Sequence, residues 1–413
     1  MAVEKYKPFQ SRTPDVDYLI IEMFGGHNNL AAFVYQDLQE AAAGMKGGNI
    51  ALIGLAAVGD KPGSVVEVTP THGIQLIEDM GQIDTGDPAM LANFLARALM
   101  TYPNAKKAIG FWDHGTGIFD ETDSSELILA RGSVAREDRS RSYPARHLFF
   151  PRDKIADDID VRSMLHDDTT GGMLTNREAG AMLGHAFKEA GAAGKVELIF
   201  SDTCLNGMIE VLDEIGEYAN CIVASSDLEP GDGWDYQKWV SKTVAKPPAN
   251  GAEWGAQAVE AFKECYEPVP RKHPCTLGAF RSDHQITDAF TGLIATARRE
   301  GGFETFFFLD HARSKSQGFA QRDTYDLRDF AAKVVELTKE AKPSMANAAQ
   351  GIIEAYDAAR ISYCALGKMV EYSTGLAFYF PSSVSQMRRD ISTYEQLAFS
   401  RNSGWADFLK EFR

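Results

Sequence analysis

Short apolar runs alternate with stretches of helical spacing along the first half of the chain, and this alternation restricts its possible folds more than any other feature. Tyr18 to Met23 (YLIIEM) is an apolar run ending in Gly25-Gly26, the pattern of a strand buried on both faces. From Asn29 the apolar Leu30, Phe33, Val34, Leu38 and Ala41 recur at helical spacing, and Gly44 stops the helix. Asn49 to Val58 reads as a second strand; Asp87 capping Pro88 opens a helix with Leu91, Phe94, Leu95, Ala98 and Leu99 on one face. Ala108 to Trp112 is a third core strand. Then follow a helix (Asn176 to Ala190), a strand (Glu197 to Asp202), a helix (Met208 to Gly216) and a strand (Cys221 to Ser225). Strands separated by helices predict an α/β fold with a mostly parallel sheet flanked by helices on both faces.

The 413 residues suffice for one large domain or two average ones. The expected division is an N-terminal extension over 1–16, an α/β core over 17–285 and a helical C-terminal region over 286–413. Thr287 to Arg299, Tyr325 to Lys339 and Met345 to Ala359 form its helices. A late strand-like run, Leu376 to Phe380, is expected to return to the main sheet, which would make the helices an elaboration of the core. One compositional break stands out: Arg131 to Lys154 gathers Arg131, Arg136, Arg139, Arg141, Arg146, Arg152 and Lys154 among serines and prolines, and reads as a long exposed loop.

Charge narrows the partners. Lys and Arg number 42 against 58 Asp and Glu, a net charge of −16, so the basic footprint that nucleic acid requires is missing and cationic ligands are favoured. Five widely spaced cysteines (Cys204, Cys221, Cys265, Cys275, Cys364), with no C-x-x-C pair and no histidine at zinc spacing, indicate neither a disulfide framework nor structural zinc. The first residues lack an apolar leader core, and no segment is apolar for 18 residues, so neither export by a leader nor a membrane span is expected. The expected location is cytoplasmic, with export by another route left open.

In an open parallel sheet, ligands bind beyond the carboxyl ends of the strands. One strand finishes as FWDHGTG with His114 at its tip, another as FSDTCLNG with Cys204 at its tip. A cysteine between a strand end and a helix N-terminus has its thiolate favoured by the helix, and a nearby imidazole lowers its pKa further. The competing reading, evenly matched on these residues alone, is a buried packing cysteine and a satisfied histidine. Asp202, two residues before Cys204, shares its face of the strand and would draw a cation into the crevice; alternatively it caps the next turn. Glu229-Pro230-Gly231-Asp232-Gly233-Trp234 is a shaped turn offering a second acid, Asp232, and an aromatic wall, Trp234, unless it is merely solvated. His27, Asn28 and Asn29 lie at the same edge and serve equally well as a turn and helix cap.

The runs YLIIEMFGGHNNL, GFWDHGTG, IFSDTCLNGMIEVLDEI, IVASSDLEPGDGWDY and TGLAFYFP together resemble the clostripain family of cysteine peptidases, whose clan includes caspases, gingipains and legumain. The resemblance spans Tyr18 to Pro381. It implies a caspase-like fold, a catalytic His114/Cys204 dyad needing no third carboxylate, and an oxyanion site made by the backbone N–H groups of Gly115 and Cys204. Asp202 would line the primary specificity pocket and select Arg or Lys before the scissile bond. Substrates would be proteins or peptides with exposed Arg or Lys, with no nucleic acid and no membrane as partner. Self-cleavage inside Arg131 to Lys154 is implied too. No cofactor is required; some relatives use calcium, but no EF-hand loop occurs here. Two rivals stand beside the peptidase: a non-catalytic caspase-fold interaction protein, which would be expected to have lost His114 or Cys204, and a transpeptidase or ligase using the same thioester.

Overall fold

The computed structural model describes residues 6–13, 15–118, 164–268 and 274–412. In chain order the strands are β1 (Tyr18–Gly26), β2 (Ile50–Val58), β3 (Gly63–Thr69), β4 (Gly73–Gly81), β5 (Lys106–Trp112), β6 (Leu165–Asp167), β7 (Gly172–Leu174), β8 (Val196–Asp202), β9 (Ala219–Ala224), β10 (Cys275–Arg281), β11 (Thr324–Asp326), β12 (Arg360–Leu366) and β13 (Ala377–Tyr379). Among the described residues the main sheet has nine strands in the order β12-β10-β9-β8-β5-β1-β2-β3-β4. Its middle, β9-β8-β5-β1-β2, is parallel, and antiparallel strands close both edges.

β1 shows why the sheet is buried on both sides. Leu19, Ile21 and Met23 enter one hydrophobic core with the helices Pro88–Thr101, Asn176–Glu189 and Gln285–Glu300, while Ile20 and Phe24 enter a second core with the helices Ala31–Gly44, Tyr236–Ala245 and Gly251–Tyr266. Each such buried side chain contributes about 1.5–3 kcal/mol. Helix starts are set locally: Asp87 accepts the Ala89 N–H at 2.8 Å, and Thr175 with Glu178 forms a capping box.

The α/β architecture with helices on both faces is therefore as expected, but its edges are not. The β3–β4 hairpin, β10 and β12 were not foreseen. The late run is a strand (β13), yet it pairs antiparallel with β11 instead of joining the nine-stranded sheet, whose edge is taken by β12. Phe378 and Phe380 explain the choice, since their rings pack against Phe330 and Trp405 of the C-terminal helices. The Ala377 N–H nevertheless donates to Gly207 O at 2.8 Å, so this region grips the loop that follows β8. Glu210, on the helix Ile209–Ile215, fastens it further: its Oε1 accepts the Tyr379 N–H at 2.8 Å and the Tyr394 hydroxyl at 2.9 Å. Burial pushes the Glu210 carboxyl up to about 7. The expected loop over Arg131 to Lys154 lies outside the described residues.

Candidate active site

β5 and β8 are neighbours, with Trp112 opposite Asp202, so the loops bearing His114 and Cys204 leave the sheet side by side. They meet at Gly115, where a Cβ would lie 2.2 Å from Cys204 O and 2.7 Å from Thr203 Oγ1. Only glycine lets the two backbones approach so closely. Gly115→Ala is accordingly expected to push the loops apart, cutting kcat by about a hundredfold while unfolding remains cooperative; full activity of this variant would show that the contact is not needed.

The turn after Cys204 is strained. Leu205 has φ 67, a left-handed conformation costly for a branched side chain, and it is held there because its N–H donates to Asp227 O at 3.1 Å while the Gly207 N–H donates to Ser225 O at 2.7 Å. Asn206 adds bonds to Ser201 and Thr203. The loop bearing Cys204 is thus fixed from the β9 side.

His114 is held through its backbone and its ring. Asp113 accepts the His114 N–H at 2.6 Å and the Asn28 side-chain amide at 2.7 Å, and also takes the His166 N–H. The ring Nε2 lies 2.8 Å from Asn29 Oδ1; a carbonyl oxygen accepts, so Nε2 carries the proton and Nδ1 the lone pair. Burial, reinforced by the nearby His166 and opposed by Asp168, lowers the imidazole pKa to about 3. The resting ring is neutral. Asn29 was foreseen only as a turn or cap residue; it is the orienting partner, contributed by the loop after β1.

Cys204 is 0% exposed and His114 7%, so this form is closed to substrate. The sulfur accepts the Glu229 N–H at 3.2 Å.

Asp202 is fully buried beneath the pair. Its Oδ2 accepts the Trp234 N–H at 3.3 Å and the Tyr236 hydroxyl at 3.1 Å, and Tyr236 is also bonded to Glu22. Gly233, φ 60, brings the turn in so tightly that a Cβ there would sit 3.1 Å from Asp202 Oδ2. Burial raises the Asp202 carboxyl to about 6 and drives those of Glu22, Asp37 and Glu229 well above their ordinary range. Asp202 Oδ1, Glu22 Oε2, Asp37 Oδ1 and both Glu229 oxygens meet no N–H or hydroxyl donor. Trp234 sits differently from the expected wall. Its ring is 2% exposed and packs on Phe200 and Trp239, so its backbone N–H, not its ring, meets Asp202. Asp232 lies farther out, half-buried, and the acid beside Asp202 is Glu229. Among the described residues no group of three His, Cys, Asp or Glu could hold a metal ion.

A mostly parallel sheet flanked by helices on both faces, with His114 and Cys204 at adjacent strand tips, is the arrangement of a caspase-like fold. The chain belongs to the clostripain family, C11: the family model matches residues 23–138 and 154–412. Solved structures share the fold. A secreted C11 cysteine protease from Bacteroides thetaiotaomicron, in complex with an irreversible peptide inhibitor, is 14% identical with a TM-score of 0.64 over 94% of this chain and 99% of that one. An inactive zymogen C11 protease from Parabacteroides distasonis is 15% identical with a TM-score of 0.64 over 95% and 99%. No curated protein sequence matches the chain. The expectation of a cytoplasmic location gains no support, since the first of these neighbours is a secreted protease. Among the described residues no helix is long and apolar enough to cross a membrane.

Proposed function

We propose that this protein is a cysteine endopeptidase that cleaves after Arg, and less readily after Lys, through Cys204 and His114. The observation that carries the specificity is the set of buried carboxyl oxygens around Asp202 that lack donors. The groups acting on these acids are other acids, thiols and hydrogen-bond donors, not basic side chains. Such a pocket is costly when empty and is stabilised by a cation. Arg suits it better than Lys because a planar guanidinium can bond more than one carboxylate.

The chemistry follows from the orientation of His114. Nδ1 accepts the Cys204 proton, and the thiolate attacks the carbonyl carbon of the scissile bond. The Gly115 N–H, which donates to no acceptor among the described residues, joins the Cys204 N–H in binding the oxyanion. The imidazolium then protonates the departing amine, leaving a thioacyl-enzyme. Water, giving a proton back to Nδ1, hydrolyses the thioester, and the proton returns to sulfur. No cofactor takes part, and calcium has no assigned role.

A peptide library varied at the residue before the scissile bond tests this reading: Arg is expected to dominate with wild type, and no cleavage with Cys204→Ala. Preference for an acidic or apolar residue would overturn it. The closed site also fits a latent form processed within Arg131 to Lys154. Mass spectrometry should find new termini after one of those basic residues in wild type and none in Cys204→Ala; an intact, fully active wild type would refute self-processing.

A further inference from the structure

One residue touches both the nucleophile and the pocket. Glu229 is 1% exposed; its N–H donates to Cys204 Sγ at 3.2 Å, and its carboxyl group feels the charge of Asp202 more than that of any other group. The backbone on either side is pinned. The N–H groups of Ser226 and Asp227 donate to Thr276 Oγ1 at 3.1 and 3.0 Å. Past the turn, the Gly233 N–H donates to Pro230 O at 2.9 Å and the Tyr266 hydroxyl to Gly233 O at 2.6 Å. Neither Glu229 oxygen meets an N–H or hydroxyl donor.

We propose that Glu229 is a positioning residue that couples occupancy of the basic-residue pocket to the readiness of the nucleophile: its carboxylate joins Asp202 on an incoming guanidinium, and its own N–H moves with it and releases the Cys204 sulfur. The proposal rests on the Arg specificity argued above. Two acids in a buried pocket cannot both ionise without a cation, so the empty pair shares a proton. Entry of a guanidinium expels that proton to solvent and draws both carboxylates onto one ligand. Because the loop is fixed beyond Asp227 and Gly233, the displacement is absorbed around Glu229, a few bonds from the N–H on the sulfur. A tethered sulfur cannot turn freely toward an electrophile; a released one can. The nucleophile is thereby held back until a matching side chain is seated.

The test compares wild type, Glu229→Gln and Glu229→Asp. The rate of iodoacetamide alkylation at Cys204, read by mass spectrometry, is measured with and without methylguanidinium, and kcat and KM are measured on an Arg peptide and its neutral counterpart. In wild type, methylguanidinium should accelerate alkylation at least about threefold. Glu229→Gln should abolish that response and lower kcat/KM for the Arg peptide about ten- to hundredfold, the scale of losing one charge-assisted contact. Glu229→Asp should restore part of both. A wild type that cleaves after Arg yet shows no acceleration, or a Glu229→Gln enzyme that keeps acceleration and kcat/KM, would overturn the coupling. Should Glu229→Gln fail to fold, the wild-type response and Glu229→Asp decide. A wild type with no preference for basic residues would instead remove the specificity reading itself, a result visible without any variant.

Discussion

Cys204→Ala and His114→Ala should each reduce hydrolysis of an Arg peptide by about a thousandfold or more, and the double variant should be little worse than either alone. In the proposed mechanism sulfur and imidazole act as one unit: without the thiol there is no nucleophile, and without Nδ1 nothing takes its proton or protonates the leaving amine. Asn29 is expected to matter less, because its loss leaves the ring present but free to turn. The measurement is steady-state kcat/KM with folding checked by thermal melting. Substantial turnover by Cys204→Ala would end the cysteine-peptidase assignment of the site. Alkylation adds a second check. In the closed form Cys204 is wholly buried and Cys265 is the more accessible thiol, so Cys265 should react without consequence while loss of activity tracks Cys204 alone.

Asp202→Asn should lower kcat/KM for Arg peptides by about 2–4 kcal/mol, the scale of removing one partner from a buried charge pair, while neutral substrates change little. pH provides an independent reading. The carboxyl pushed up to about 6 must be ionised to hold a guanidinium, so kcat/KM for Arg should fall as pH drops through about 6, and Asp202→Asn should remove that inflection. The effect on stability has the opposite sense. The folded state binds this proton more tightly than the unfolded chain, where the group titrates near 3.8, so its contribution is fully present below that pH and is lost as pH rises through about 6. At pH 7 the ionised side chain therefore costs stability on the order of 3 kcal/mol, and Asp202→Asn should raise the melting temperature there but not at pH 3. A lower melting temperature at pH 7, together with unchanged Arg preference, would exclude Asp202 as the pocket acid.

The parallel centre of the sheet was legible because its strands are buried on both faces and therefore read as continuous apolar runs. The edges were not. β4 and β12 are only half-covered, so their sequences (GIQLIEDMG and RISYCAL) mix polar and apolar residues without a clean period. The strand-tip histidine and cysteine could be found because a strand end is a local property. Their partners could not: Asn29 is 85 residues from His114 in sequence, and Glu229 is 25 from Cys204. Trp234 was misjudged for a related reason. Composition marks the turn, but only the left-handed Gly233 decides that the main chain faces Asp202 while the ring swings into the core.

The strand order also determines what a broken chain would be. Within the main sheet, described residues up to 118 supply β5-β1-β2-β3-β4 and those from 164 onward supply β12-β10-β9-β8, so there the two stretches of polypeptide meet only where β5 lies against β8. His114 ends one side of that seam and Cys204 the other. A chain opened between them would become a two-subunit protein in which neither polypeptide carries both His114 and Cys204. Its turnover per site would fall on dilution below the dissociation constant of the halves, whereas the uncut chain would be indifferent to concentration.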